Sequence, residues 1–237
     1  MAARQEPAGY ALQLSEQEKG RFRRMAERAM ERDEGDLMRE AGIVPGARVV
    51  DMGCGPGAML VELARIAGEG GEGVGVEPEP TARAAAAQAI AVAGLTNARV
   101  VEGTGTASGL EEGAWDAVMI RHVLFHVGAQ ASDLVAHAAA LVRPGGHVYL
   151  VDTDLGAARL EPDEAGAFEI FRRYAAFQRA RGNDPGIGPR LHVLLGGAGL
   201  EVTAVDASYA VIPAQVLAAS GGGAATAAQH AMMAGES

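Results

Sequence analysis

From Arg48 to Ala64 the chain passes from β-branched residues into an acid, then alternate glycines, then apolar residues at helical spacing. Arg48-Val49-Val50-Asp51-Met52 predicts a strand, and Gly53-Cys54-Gly55-Pro56-Gly57 a tight turn. Ala58-Met59-Leu60-Val61-Glu62-Leu63-Ala64 then predicts the start of a helix. Residues without a Cβ let backbone N–H groups approach a ligand closely, here at a helix N-terminus. Such a strand–turn–helix opening points to an α/β fold with a parallel sheet.

The remaining chain keeps that alternation. Ser15-x-x-Glu18 is a capping box, and Phe22, Met25, Ala29 and Met30 follow it at helical spacing. The mixed charges from Lys19 to Glu40 predict a solvated helical face, broken at Gly35-Asp36, where Asp36 caps a shorter helix ending at Gly42. Next come a helix over 57–67, a strand over 73–77, a helix from a Thr81 cap to Gly94, and a strand over 99–102. A fourth strand spans 115–120 and a helix 131–142. Arg143-Pro144-Gly145-Gly146 turns into a fifth strand over 147–152. Helices over 163–181 and 188–197 precede a sixth strand over 200–212. After Pro213 nothing alternates as a strand should, so a seventh strand is expected to be missing. The open edge would then be covered by a partner subunit or by the tail.

Composition narrows the partners. At 237 residues the chain is long enough for one large α/β domain. No apolar run approaches the roughly 18 residues of a membrane helix, and the N-terminus lacks an apolar signal core. The lone cysteine, Cys54, excludes an internal disulfide. A net charge of −10 argues against nucleic acid, whose binding needs clustered cations. A cytoplasmic protein is expected, with a small-molecule substrate, no nucleic acid, no membrane, and association into a homo-oligomer through the open edge.

Two acids flank the glycine turn. Asp51 lies two residues before Gly53, and Glu77 ends the second strand 20 positions after Gly57. Gly53-x-Gly55-x-x-Ala58 fits the loose dinucleotide pattern, and Glu77 suits ribose hydroxyls in a nicotinamide or an S-adenosylmethionine (SAM) site alike. A pyrophosphate gains nothing from Asp51, whereas a ligand bearing an ammonium and a sulfonium does. Asp51-x-Gly53-x-Gly55-x-Gly57 resembles the (D/E)-x-G-x-G-x-G turn of class I SAM-dependent methyltransferases. Glu102-Gly103-Thr104 is similar to that family's E-G-D segment, with Thr104 in place of the acid, and Trp115-Asp116-Ala117-Val118 to its F-D-x-V. Arg121-His122-Val123-Leu124-Phe125-His126-Val127 resembles its R-x-x-L-x-H-x segment, and Arg143-Pro144-Gly145-Gly146 its L-(R/K)-P-G-G turn. The likeness runs over roughly 10–212, is strongest over 47–152, and is nearest the small-molecule ubiquinone/menaquinone-type group.

The resemblance implies a single domain with a Rossmann-like sheet and helices on both faces. Residues 1–42 would form an N-terminal helical cap, 43–155 the SAM-binding core, and 156–237 the substrate-side helices and a C-terminal strand. It implies SAM as cofactor, with Asp51, Gly53, Gly55, Gly57, Glu77, Thr104, Gly105, Thr106 and Arg121 around it. Tyr10, Phe22, His126, Tyr174 and Phe177 are the candidate substrate contacts, and His122 the candidate general base, since imidazole titrates near working pH. His122 and His126 stand four apart but lack a third ligand, so no metal is expected. A magnesium enzyme would pair Asp152-Thr153-Asp154 with an acid after the fourth strand, where Arg121 stands. The expected reaction is metal-independent methyl transfer to a small-molecule acceptor of the secondary-metabolite kind. A nicotinamide-dependent oxidoreductase and a non-catalytic SAM-binding protein are the alternatives.

Overall fold

A computed structural model describes residues 14–31, 34–158 and 168–208. Its strands are β1 (Arg48–Met52), β2 (Glu72–Val76), β3 (Ala98–Val101), β4 (Trp115–Arg121) and β5 (Val142–Val151). They form one parallel sheet in the order β3-β2-β1-β4-β5. The order reverses between β1 and β4, and ligands of open α/β sheets bind outside the C-terminal strand ends at such a switch. Asp51 sits there, in register with Gly75 of β2 on one side and Met119 of β4 on the other.

The helices are α1 (Glu16–Glu31), α2 (Glu34–Glu40), α3 (Ala58–Ala67), α4 (Pro80–Val92), α5 (Leu124–Val127), α6 (Ala131–Leu141), α7 (Phe168–Ala180) and α8 (Leu191–Gly197). Successive strand residues feed opposite faces. On one face Val49, Ala117 and Met119 meet Met59 and Leu63 of α3, Ala26 and Ala29 of α1 and Met38 of α2. On the other Val50, Val118 and Ile120 meet Leu134, Val135 and Ala138 of α6, with α8 packed alongside through Leu191 and Leu194. Each large apolar side chain so buried contributes roughly 1.5–3 kcal/mol. The two N-terminal helices thus share the core of one sheet face.

Local chemistry explains where the elements begin. The Ser15 hydroxyl accepts the Glu18 N–H at 3.2 Å, while the Glu18 carboxylate turns outward to Arg21 at 2.9 Å. The cap of α4 is Glu79 rather than Thr81: its carboxylate accepts the Ala82 N–H at 2.7 Å, and Pro80 takes the first helical position, where no N–H is needed. β5 starts at Val142 rather than at 147, because Arg143–Gly146 bulge out between the pairs Trp115↔Val142 and Ala117↔His147. Asp116 fastens this bulge, accepting from Arg143 Nε at 2.6 Å and from the Arg48 N–H at 2.7 Å.

The expected sixth strand is corrected over its described part. Residues 201–208 join no ladder, and Val202 and Val205 stay 36% and 73% exposed. Leu200, Val202 and Ala204 share one face of an extended chain, but every residue from 201 to 208 is exposed, so that face is not packed against the sheet. It nonetheless passes near β5, since Asp206 is close enough to act on Tyr149. The outer edge of β5 has no paired strand among the described residues. The rest of that strand, and the seventh-strand expectation, fall outside the described residues.

α7 is fastened through main chain. Gly128, at φ 51°, faces the Gly182 carbonyl so closely that a Cβ there would stand 1.8 Å from the oxygen. The Asp184 N–H donates to the Phe125 carbonyl and the Leu155 N–H to that of Pro185, both at 2.8 Å. No helix among the described residues is long and apolar enough to cross a membrane.

Candidate active site

The glycine turn leaves β1 and is pinned at once to β2. The Gly53 and Cys54 N–H groups both donate to the Val76 carbonyl, at 2.8 and 3.2 Å. Glu77 braces the loop from below, one oxygen accepting the Gly55 N–H and the other the Glu79 N–H, both at 2.9 Å. Gly53 and Gly57 are required twice over, by φ of 76° and 80° and by crowding. A Cβ would stand 2.6 Å from Val123 at the first and 2.8 Å from Ala86 at the second. At Gly55 it would meet nothing within 4 Å, so the loop faces open space there.

Beneath the turn lies Asp51, only 3% exposed. Its Oδ2 is buried and accepts no hydrogen bond from any described residue. Burial pushes its carboxyl up to about 7, with Arg121 opposing and Glu77 adding to the rise. Burial also raises Glu77, against the backbone donors of Glu79 and Gly55. Cys54 is buried beside both acids, and its thiol is pushed well up, first by burial and then by Asp51 and Glu77. It packs against Gly75 rather than acting as a nucleophile.

The end of β4 brings the second group of residues. Arg121 forms a two-point pair with Glu34 of α2, at 3.0 and 3.4 Å, with both side chains under a fifth exposed. Glu34 carries no sequence signal that marks it as a partner 87 positions away. His122 holds a positive φ of 57°, unusual for a residue with a Cβ, and its N–H donates to the Val151 carbonyl at 2.8 Å. Burial, then Arg121, His126 and Arg21, lower its imidazole to about 4, so it is neutral at physiological pH. Burial also lowers His126, whose ring lies 4.7 Å from that of Phe125. Asp152 is occupied by backbone: it accepts the Phe125 and Thr153 N–H groups at 3.0 and 2.8 Å.

Thr104, Gly105 and Thr106 form a tight turn after β3, closed by reciprocal backbone bonds between Thr104 and Ala107 at 3.0 and 3.2 Å. The turn stands next to Glu77 in the chain order of the sheet, since β3 neighbours β2. The aromatic substrate contacts are less convergent. Phe22 lies half-buried on α1 beneath Arg21, Tyr174 packs toward the α6 face, and Phe177 lies under Arg181. Tyr10 falls outside the described residues. A cleft of about 380 Å³ lies along α7 and one of about 350 Å³ between residues 128–132 and 182–194, and neither is lined by the glycine turn or these aromatics. The site is therefore assigned from the orphan carboxylate and the turn. Among the described residues no three Cys, His, Asp or Glu side chains converge as a metal cage would.

Residues 49–146 match the sequence family described as "Methyltransferase domain". No curated protein matches the chain. Its fold is similar to that of a SAM-dependent methyltransferase from Aquifex aeolicus, at 17% identity and a TM-score of 0.56 over 76% of this chain and 87% of that one. The YcgJ protein of Bacillus subtilis gives 17% and 0.54 over 69% and 66%. Phosphoethanolamine N-methyltransferase 2 of Haemonchus contortus, solved with S-adenosyl-L-methionine, gives 18% and 0.53 over 69% of this chain and 35% of that one. Identities this low speak for the shared fold, and the domain match adds the chemistry. Residues 49–146 thus match a methyltransferase domain, on a fold shared with SAM-dependent methyltransferases.

Proposed function

We propose that the protein transfers the methyl group of SAM to a small-molecule acceptor without a metal ion. The observation that carries this reading is the buried, unpartnered Asp51 Oδ2 under an open glycine turn. A buried carboxylate without a partner is costly, and a ligand ammonium is a donor that would satisfy it. Glu77 spends one lone pair per oxygen on backbone and keeps acceptor capacity for two hydroxyls, as a ribose offers. SAM brings a sulfonium methyl that is already activated for in-line displacement. The chain's own work is then to align donor and acceptor, which in well-oriented systems lowers barriers by roughly 7–11 kcal/mol. For a hydroxyl or amine acceptor, neutral His122 supplies a nitrogen lone pair to take the proton. The direct test is incubation with methyl-labelled SAM and a panel of small hydroxyl, amine and electron-rich carbon acceptors. A product heavier by one methyl group is expected; none with any acceptor, despite SAM binding, would leave a binding protein.

Glu77→Ala is expected to weaken SAM binding roughly 10- to 100-fold, the worth of a charge-assisted hydrogen bond. Calorimetry checks this, and affinity equal to the parent's would remove the ribose assignment. Turnover is expected to survive EDTA unchanged. Loss that magnesium restores would overturn the metal-independent reading. With His122 lowered to about 4, the imidazole remains a free base down to that pH. The acid limb of kcat is therefore expected below pH 5, and a limb near 6.5 that vanishes in His122→Ala would contradict the buried geometry.

A further inference from the structure

The loop that carries Thr104–Thr106 is held from behind by a pair that has no part in the site described above. Ser108 is 3% exposed, and its hydroxyl lies 2.8 Å from His137 Nε2 on α6. The Ser108 N–H donates to the same nitrogen at 3.2 Å, while the Leu110 N–H donates to the Ser108 hydroxyl at 3.3 Å. The Ser108 N–H makes Nε2 an acceptor, with the hydroxyl directed at the same nitrogen. One helical turn earlier on α6, Leu134 presses on the loop so closely that a Cβ on Gly105 would stand 2.4 Å from it. On the other side, a Cβ on Gly103 would stand 2.9 Å from both Ser108 and Val76, the residue before Glu77. The turn is thus wedged between the ribose-side end of β2 and the Leu134–His137 face of α6.

We infer that Ser108 and His137 are positioning residues that set the depth of the Thr104–Thr106 turn against the base of the bound nucleoside, and so govern discrimination of adenine. This rests on the reading of the site as a SAM site, in which Glu77 at the end of β2 takes the ribose and the turn after neighbouring β3 lies beyond it, on the side of the base. Thr104 and Thr106 are exposed, with their hydroxyls 3.5 Å apart, and sit at the tip of the turn. A neutral hydrogen bond from such a tip is lost when the backbone beneath it shifts, whereas contacts at Asp51 and Glu77 are made by other strands.

The test compares S-adenosylhomocysteine with S-inosylhomocysteine, which differ in the base, by calorimetry. The parent is expected to prefer the adenine ligand. In His137→Ala that preference falls by roughly fivefold, the scale of one neutral hydrogen bond, while binding of the inosine ligand changes less than about twofold. His137→Gln, which restores an acceptor oxygen, recovers at least half of the lost preference. Ser108→Ala removes only the hydroxyl, keeps the backbone donor, and is expected to show a smaller loss in the same direction. An unchanged preference in both His137→Ala and Ser108→Ala, or an equal fall for both ligands in both variants, would overturn the inference. Failure of the parent to bind either ligand would instead overturn the SAM reading.

Discussion

Asp51→Asn is expected to bind SAM roughly 10- to 100-fold more weakly than the parent and yet to be the more stable protein at pH 8. The carboxyl titrates at about 7 in the folded chain, because burial outweighs Arg121. In the unfolded chain it titrates at about 3.9. Between those values the folded protein holds a proton that the unfolded one has released, so stability falls as pH rises through the window. The asparagine has no such dependence. The difference between variant and parent should be absent below about pH 4 and full above about pH 7, on the order of 4 kcal/mol. Urea unfolding at pH 4 and pH 8 measures it. Equal stability at pH 8 would mean that the carboxylate already has a partner in the free protein. The parent's SAM affinity should weaken below pH 7, since the ligand ammonium needs the ionised acid.

The second large effect separates Gly55 and Gly57, two positions apart in the chain, in consequence though not in conformation. Gly57→Val places a branched side chain at φ 80° with its Cβ 2.8 Å from the Ala86 Cβ and 2.9 Å from the Ala86 Cα. Backbone cannot move aside as a side-chain tip can, so strain and overlap together should cost roughly 3–5 kcal/mol. Gly55→Ala also sits at positive φ, 53°, but its Cβ meets nothing within 4 Å. It should cost only about 1–2 kcal/mol in stability while filling the open side of the turn. Thermal unfolding and calorimetry are the readouts. A folded Gly57→Val that binds SAM normally, or a Gly55→Ala with unchanged affinity, would show that the turn does not shape the site.

Much of this was legible because the turn chemistry is local. Asp51, the alternate glycines and Glu77 lie within 27 positions of one another, and the strand–helix alternation from 48 to 151 follows from apolar period and glycine punctuation. What was hidden depends on separation. Arg121 and Glu34 pair across 87 positions, and Asp116 reaches back 68 positions to the Arg48 N–H. Asp116 lies within a recognisable motif, yet its work is to fasten a bulge. Ser108 and His137 look like an ordinary loop serine and helix histidine until α6 folds over β3's outgoing loop. The alternation of Leu200, Val202 and Ala204 predicts a strand, yet residues 201–208 join no ladder, since alternation alone does not supply a pairing partner. The grouping of Phe22, Tyr174 and Phe177 depended on helices from opposite faces meeting, a matter no spacing rule decides.

The fastening of α7 has an evolutionary consequence. Its C-terminal end is docked by the Gly128–Gly182 approach and by main-chain bonds from Asp184 to Phe125 and from Leu155 to Pro185. These attachments depend on glycines and on backbone atoms, which every residue type supplies alike. The outward side chains of α7, Arg172, Arg173 and Arg179 among them, can therefore be exchanged without undoing the joint. Lineages built on this scaffold could retune what lies beside the strand ends by drift along one helix face, with the sheet and its glycine turn left under separate constraint.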